Sequence, residues 1–173
     1  AQWSAAPMIA GEVDNGVSFP LVSPADSGIE VGRVQNATDA DVGLALSAAQ
    51  ATFSDWSGRR VESRADLLRR AADLYEANCP ELGALTAREA GKSLSDAIAE
   101  IREAVDFLRF YACEAERLNK IEPGTGRGMF VCISPWNFPL AIFTGQIAAA
   151  LAAGNSVIAK PAEQTPLIAA RAV

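Results

Sequence analysis

No histidine occurs anywhere in the 173 residues. That absence removes Ser-His-Asp and Cys-His catalysis from this stretch of chain, along with most zinc and iron centres. Cysteine is sparse: Cys79, Cys113 and Cys132 are odd in number and far apart. They make neither a disulfide framework nor a zinc-ligand spacing. They are expected to be reduced thiols in a cytosolic setting, packed into the interior, with no basic partner that would favour thiolate. No apolar run reaches about 18 residues, so no transmembrane helix is expected. The opening Ala1-Gln-Trp-Ser lacks the charged and apolar regions of a signal peptide. Basic residues are outnumbered, 15 to 21, for a net charge of −6, and no basic patch points to a nucleic-acid partner.

What is present is a large apolar fraction, 50% of residues, ample for a core and far too high for disorder. The first 35 residues are rich in Gly, Pro and Ser, with short strands expected at Val17–Val22 and Ile29–Gln35 around a turn at Pro24–Gly28. Thr38, with Asp41 three positions on, fits a capping box opening a helix to about Ala51, followed by a hydrophobic corner at Phe53–Trp56. An amphipathic helix is expected over Glu62–Asn78, its apolar face built from Leu67, Leu68, Ala71, Leu74 and Tyr75, with Arg64 elsewhere. A shorter helix follows Pro80 and stops at Gly91. The longest spans about Leu94–Leu118 on a stripe that starts at Leu94, Ile98 and Ile101, with Glu100 on the opposite face.

Beyond Pro123–Gly128 the pattern changes to strand (Phe130–Ser134), a helix opened by Pro139 and closed at Gly154-Asn155, strand (Ser156–Ala159), and a last helix with Thr165 as N-cap and Pro166 at its first position. This is the opening of a βαβ unit. Ligands of open parallel sheets bind at the carboxyl ends of the strands. Here those ends carry Ile133-Ser-Pro-Trp-Asn-Phe-Pro139 and Lys160-Pro-Ala-Glu163. Two readings stand for each. Asn137, stiffened between prolines, can donate its amide to a developing oxyanion, or it can cap the next helix over a buried Trp136. Lys160 and Glu163 can grip ribose hydroxyls, or they can form a surface ion pair. Gly124-x-Gly-x-Gly128 precedes its strand and lacks the dinucleotide spacing. Gly91-Lys92-Ser93 lacks the first P-loop glycine. Asn36-Ala-Thr38 is a glycosylation sequon with nothing to suggest secretion.

Pro135-Trp-Asn-Phe-Pro139, Ala150–Asn155 and Lys160–Pro166 resemble, in order and spacing, three motifs of the aldehyde dehydrogenase superfamily. The likeness extends back through Glu89-Ala-Gly-Lys92. Trp3–Gly11, Phe107–Ala112 and Phe130–Phe143 resemble in particular the dehydrogenase module of the proline utilization A family, bifunctional enzymes of proline catabolism.

The resemblance implies an α/β fold with a Rossmann-like, doubly wound NAD domain. Residues 1–36 would be a hairpin and oligomerisation-flap segment, 37–122 the N-terminal helices, and 123–173 the first β-α-β-α of the sheet. It implies NAD as cofactor, lined by Ile133, Ser134, Pro135 and Trp136 and held by Lys160, Pro161, Ala162 and Glu163. Asn137 would join the oxyanion hole and Phe138 would line the aldehyde channel. It also implies L-glutamate γ-semialdehyde as the small-molecule substrate, a homo-oligomer, and FAD only if a proline dehydrogenase domain lies upstream. The missing initiator Met and the uncapped helical pattern at Val173 suggest a fragment, inactive alone, with the nucleophilic Cys and basic Glu downstream. A general aldehyde dehydrogenase, a CoA-acylating relative and a non-catalytic domain are the alternatives.

Overall fold

The computed structural model describes residues 3–13 and 16–173; the first two residues of the chain opening, discussed above for signal features, lie outside it. Near the amino end, β4 (Phe19–Val22) and β5 (Glu30–Val34) form the expected antiparallel pair. Strand β1 (Trp3–Ala5), which local pattern did not reveal, pairs in parallel with the other edge of β5. Two-residue strands β2 (Met8–Ile9) and β3 (Glu12–Val13) make a small separate hairpin.

Four helices follow. Helix α1 (Asp39–Gly58) opens on the expected box: Asp41 N–H donates to Thr38 Oγ1 at 3.3 Å, and Thr38 N–H donates to Asp41 Oδ2 at 2.7 Å. It does not stop at Ala51. No glycine or proline interrupts residues 51–57, so the helix continues through the expected corner, and the Trp56 indole N–H donates to Leu151 O at 3.1 Å. Helices α2 (Val61–Ala77), α3 (Cys79–Ala90) and α4 (Leu94–Ile121) lie where periodicity placed them. Gly91 ends α3 in the left-handed region, at φ +67°, where glycine carries no side-chain penalty.

Three facial expectations are corrected. In α2 Leu74 is exposed, while Arg64 is buried among Ala65, Leu68, Ala72 and Tyr75. In α4 Leu94 and Ile98 are exposed, and the buried stripe runs through Ala97, Glu100, Ile101, Ala104, Val105 and Leu108. Glu100 therefore faces inward. Of the cysteines only Cys132 is buried; Cys79 is half-buried, and Cys113 is exposed with Arg69 Nη2 3.9 Å from its sulfur, a basic neighbour that the sequence did not suggest.

The remainder is strand β6 (Met129–Ile133), helix α5 (Ala141–Ala152), strand β7 (Ser156–Lys160) and helix α6 (Pro166–Ala172). α5 is apolar apart from Thr144 and Gln146, so it must be covered on several sides. It packs against α4 closely enough that a β-carbon on Gly145 would stand 2.9 Å from the Phe107 ring. The core runs from β5 through α2, α3 and α4 to α5 and α6, with Leu82, Leu85, Leu140, Leu167 and Ile168 fully buried. Among the described residues no helix is long and apolar enough to cross a membrane.

Candidate functional site

β6 and β7 are parallel and in register from Met129 opposite Ser156 to Ile133 opposite Lys160. The ladder extends one step further, with Ser134 N–H donating to Lys160 O at 3.2 Å. Both strand ends therefore finish side by side, and the chain leaves them at Pro135 and Pro161, which cannot donate another ladder bond. The two segments singled out in the sequence are brought together.

At this edge Ile133 and Trp136 are 64% and 55% exposed, so Trp136 is not in the core. Asn137 is exposed, and its side chain makes no hydrogen bond among the described residues. It does not cap the next helix. Phe138 is partly open at 39%, while Pro139 and Leu140 are fully buried. Lys160 and Glu163 are exposed and not paired with each other; Glu163 accepts a hydrogen bond from its neighbour Gln164 at 3.2 Å. The hydroxyls of Ser134 and Thr165 are buried without protein partners, one beside each strand end. The edge thus offers exposed apolar surface, a free amide, a cation and an anion, with two unpartnered hydroxyls buried behind them.

The helices behind the crevice are pinned by charges from elsewhere. α5 begins at Ala141 after a Pro139-Leu140 turn, and Leu140 as N-cap offers no capping side chain. Glu100 does instead: its Oε1 accepts the Leu140 N–H at 2.8 Å and the Ala141 N–H at 3.2 Å. Thr165 and Pro166 take the expected N-cap and first positions of α6, but the Thr165 side chain makes no capping bond. Glu89 accepts the Leu167 N–H at 2.6 Å and the Ile168 N–H at 2.8 Å. Burial pushes the Glu89 carboxyl up to about 7, against the pull of those two amides. These helix-terminal amides are therefore already satisfied within the protein.

The carboxyl end of α5 is held by Arg64, whose Nε donates to Ala152 O at 3.2 Å and whose Nη1 donates to Ser57 O and Arg59 O. Desolvation lowers its pKa, with Glu62 opposing. Asn155 completes the turn into β7: its Oδ1 accepts from Arg127 N–H and Gly128 N–H, and its amide donates to Ala150 O at 3.2 Å. Cys132 sits within β6 with its thiol pushed up by burial, which keeps it protonated and unreactive. Sequence reasoning missed Arg64 and Glu100 as buried anchors, and it noted Glu89 only within a motif. Their signal was present, since each falls in phase with the buried residues of its own helix.

Two parallel strands that end together, with a buried helix crossing between them and polar groups beyond their ends, define the opening of a doubly wound α/β domain. A model of the aldehyde dehydrogenase family matches residues 12–173. The chain belongs to that family and carries the N-terminal part of its fold. It is 54% identical over 172 residues to the bifunctional protein PutA of Klebsiella aerogenes, covering 99% of this chain and 13% of that protein. It is 39% identical over 162 residues to a 1-pyrroline-5-carboxylate dehydrogenase of Bacillus mycoides, covering 87% of this chain and 32% of that protein. A crystal structure of 1-pyrroline-5-carboxylate dehydrogenase from Thermus with bound NAD superposes with a TM-score of 0.93 at 36% identity, over 99% of this chain and 36% of that one. The chain thus spans under a third of the length of these two curated relatives.

Proposed function

We propose that this chain builds the first part of the cofactor domain of an NAD-dependent dehydrogenase that oxidises L-glutamate γ-semialdehyde to L-glutamate. The protein that carries it is a homo-oligomeric cytosolic enzyme, bifunctional with a flavin-dependent proline dehydrogenase. The observation that carries the reading is the paired strand end, with Asn137 and Glu163 exposed on the segments that leave it, in a chain similar along nearly its whole length to PutA and 1-pyrroline-5-carboxylate dehydrogenases.

The residues fit the cofactor. Exposed Ile133 and Trp136 suit a flat ring, and exposed Lys160 and Glu163 suit its polar groups. The backbone of Ile133–Trp136 lines the nicotinamide half. Lys160 and Glu163, with Pro161 and Ala162 fixing the turn, hold the adenosine ribose. The Glu163 charge repels a 2′-phosphate and so favours NAD over NADP. NAD held by these residues would supply the hydride acceptor for the tetrahedral thiol adduct of the aldehyde. A Cys beyond Val173 attacks that carbon, and a Glu beyond Val173 activates the hydrolytic water. Asn137 donates its amide to the oxygen as it gains charge in the tetrahedral adduct. Phe138 borders the aldehyde channel. Cys79, Cys113 and Cys132 take no part.

Asn137→Ala in the full-length enzyme tests the central role. It should lower kcat by about a hundredfold or more, with the KM for NAD+ nearly unchanged. Unchanged turnover removes Asn137 from the oxyanion site. Failure to reduce NAD+ with glutamate semialdehyde, alongside good oxidation of another aldehyde, would make the protein a general aldehyde dehydrogenase.

A further inference from the structure

The chemistry just described uses neither Lys92 nor Glu100, yet both lie directly behind its loop. The Glu100 side chain is 1% exposed, and that of Lys92 is 14% exposed. Oε1 of Glu100 takes the two first amides of α5, and Oε2 stands 2.9 Å from Lys92 Nζ. The same ammonium lies 4.2 Å from the centroid of the Phe138 ring. One buried ion pair therefore grips the residue after Asn137 through the ammonium, and the two residues after Pro139 through the carboxylate.

The Asn137 side chain has no hydrogen bond of its own, so its place is set by the backbone on either side. Upstream, the Ser134–Lys160 ladder bond fixes the chain. Downstream, the segment is fixed by Phe138 beneath Lys92, by buried Pro139, and by the amides held on Glu100. We infer that Lys92 and Glu100 form a positioning pair that holds Asn137 and Phe138 at the strand end. The inference rests on the oxyanion role proposed for Asn137. A largely buried pair suits this task because its partners are held where water screens them little. An oxyanion donor is sensitive to such placement: a displacement of about 1 Å can cost about a hundredfold in rate.

The test is steady-state kinetics of the full-length enzyme carrying Lys92→Met, Lys92→Arg, Asn137→Ala, and Lys92→Met combined with Asn137→Ala. Lys92→Met should lower kcat by about tenfold or more with the KM for NAD+ changed less than about twofold, and Lys92→Arg should recover most of the loss. With Asn137 already removed, Lys92→Met should cost less than about a further twofold, because the pair acts through that amide. An equal loss in both backgrounds, or full turnover in Lys92→Met, overturns the inference while leaving the oxyanion role intact. Full turnover in Asn137→Ala sinks that role and the inference with it. If Lys92→Met does not fold, Glu100→Gln takes its place, since its amide oxygen still accepts both α5 amides while the ion pair is lost; the same pattern is expected.

Discussion

Replacing Arg64 with Met should be among the most destabilising single changes in the chain. Arg64 lies on α2, is 6% exposed, and donates to three carbonyls that no other side chain among the described residues caps: Ala152 at the end of α5, and Ser57 and Arg59 at the end of α1. Each charge-assisted bond is worth about 1.5–3 kcal/mol net, but the three share one guanidinium and do not add. The positive charge also faces the carboxyl end of α5, whose last turn has no basic residue of its own. Methionine keeps most of the volume and leaves the buried Ala152 carbonyl without its donor, and the partly exposed Ser57 and Arg59 carbonyls to water. Breaking such a buried charged network costs about 3–5 kcal/mol, a large part of the roughly 5–15 kcal/mol that holds a typical domain folded. Lysine should fall between, since one ammonium cannot span carbonyls from two helix ends. Urea unfolding of the chain, followed by tryptophan fluorescence, reads this directly, because the Trp56 indole bonds to Leu151 beside the same corner. A Met variant within about 1 kcal/mol of the parent would refute the claim that Arg64 locks the two helix ends.

Two further perturbations probe the same architecture. Glu89 is lifted from 4.5 to about 7, so the folded chain keeps a proton that the unfolded chain loses. Its contribution is complete below about pH 4.5 and is lost as pH rises through about 7, in all about 3 kcal/mol. Urea unfolding at pH 5 and pH 8 should show the parent losing stability relative to Glu89→Gln; a flat difference, or one of opposite sign, counts against the assignment. Gly145→Ala would place a β-carbon 2.9 Å from Phe107 and should cost about 1–3 kcal/mol, whereas Gly43→Ala in the exposed face of α1 meets nothing and should stabilise slightly. Melting temperatures that move in the same direction for both would show that the α4–α5 contact is not tight.

Much of the fold was legible because it is local. The capping box at Thr38, the left-handed stop at Gly91 and the apolar runs of β6 and β7 are written in adjacent residues. What could not be read is non-local. β1 joins β5 in parallel across all of the chain between Ala5 and Glu30, and three residues carry no period that names a partner. The length of α1 was misjudged because Phe53 and Trp56 look like a chain corner; with no breaker present, they instead turn inward from a continuing helix.

The site shows the same division. Asn137, Lys160 and Glu163 stood out because prolines and strand ends flag them, and the register of β6 on β7 brings them to one edge. The anchors behind that edge did not stand out, because a charged residue was assigned to the solvent face by type alone. Glu100 is four residues before Ala104 and eight before Leu108, in phase with the buried stripe of α4; Glu89 follows Leu85 by four, and Arg64 precedes Leu68 by four. Phase placed all three inside, and charge argued them out. Phase prevails because each meets the unsatisfied end of another helix: Glu89 the start of α6, Glu100 the start of α5, Arg64 the end of α5. A helix terminus buried at a crevice leaves amides or carbonyls that water cannot reach, and a side chain of matching charge from a neighbouring helix satisfies them at the least cost in buried polarity. In a chain whose βαβ unit places its polar edge at the strand ends, a charge in phase with a helix core is therefore a pointer to the next helix terminus, and so to the wall of the site.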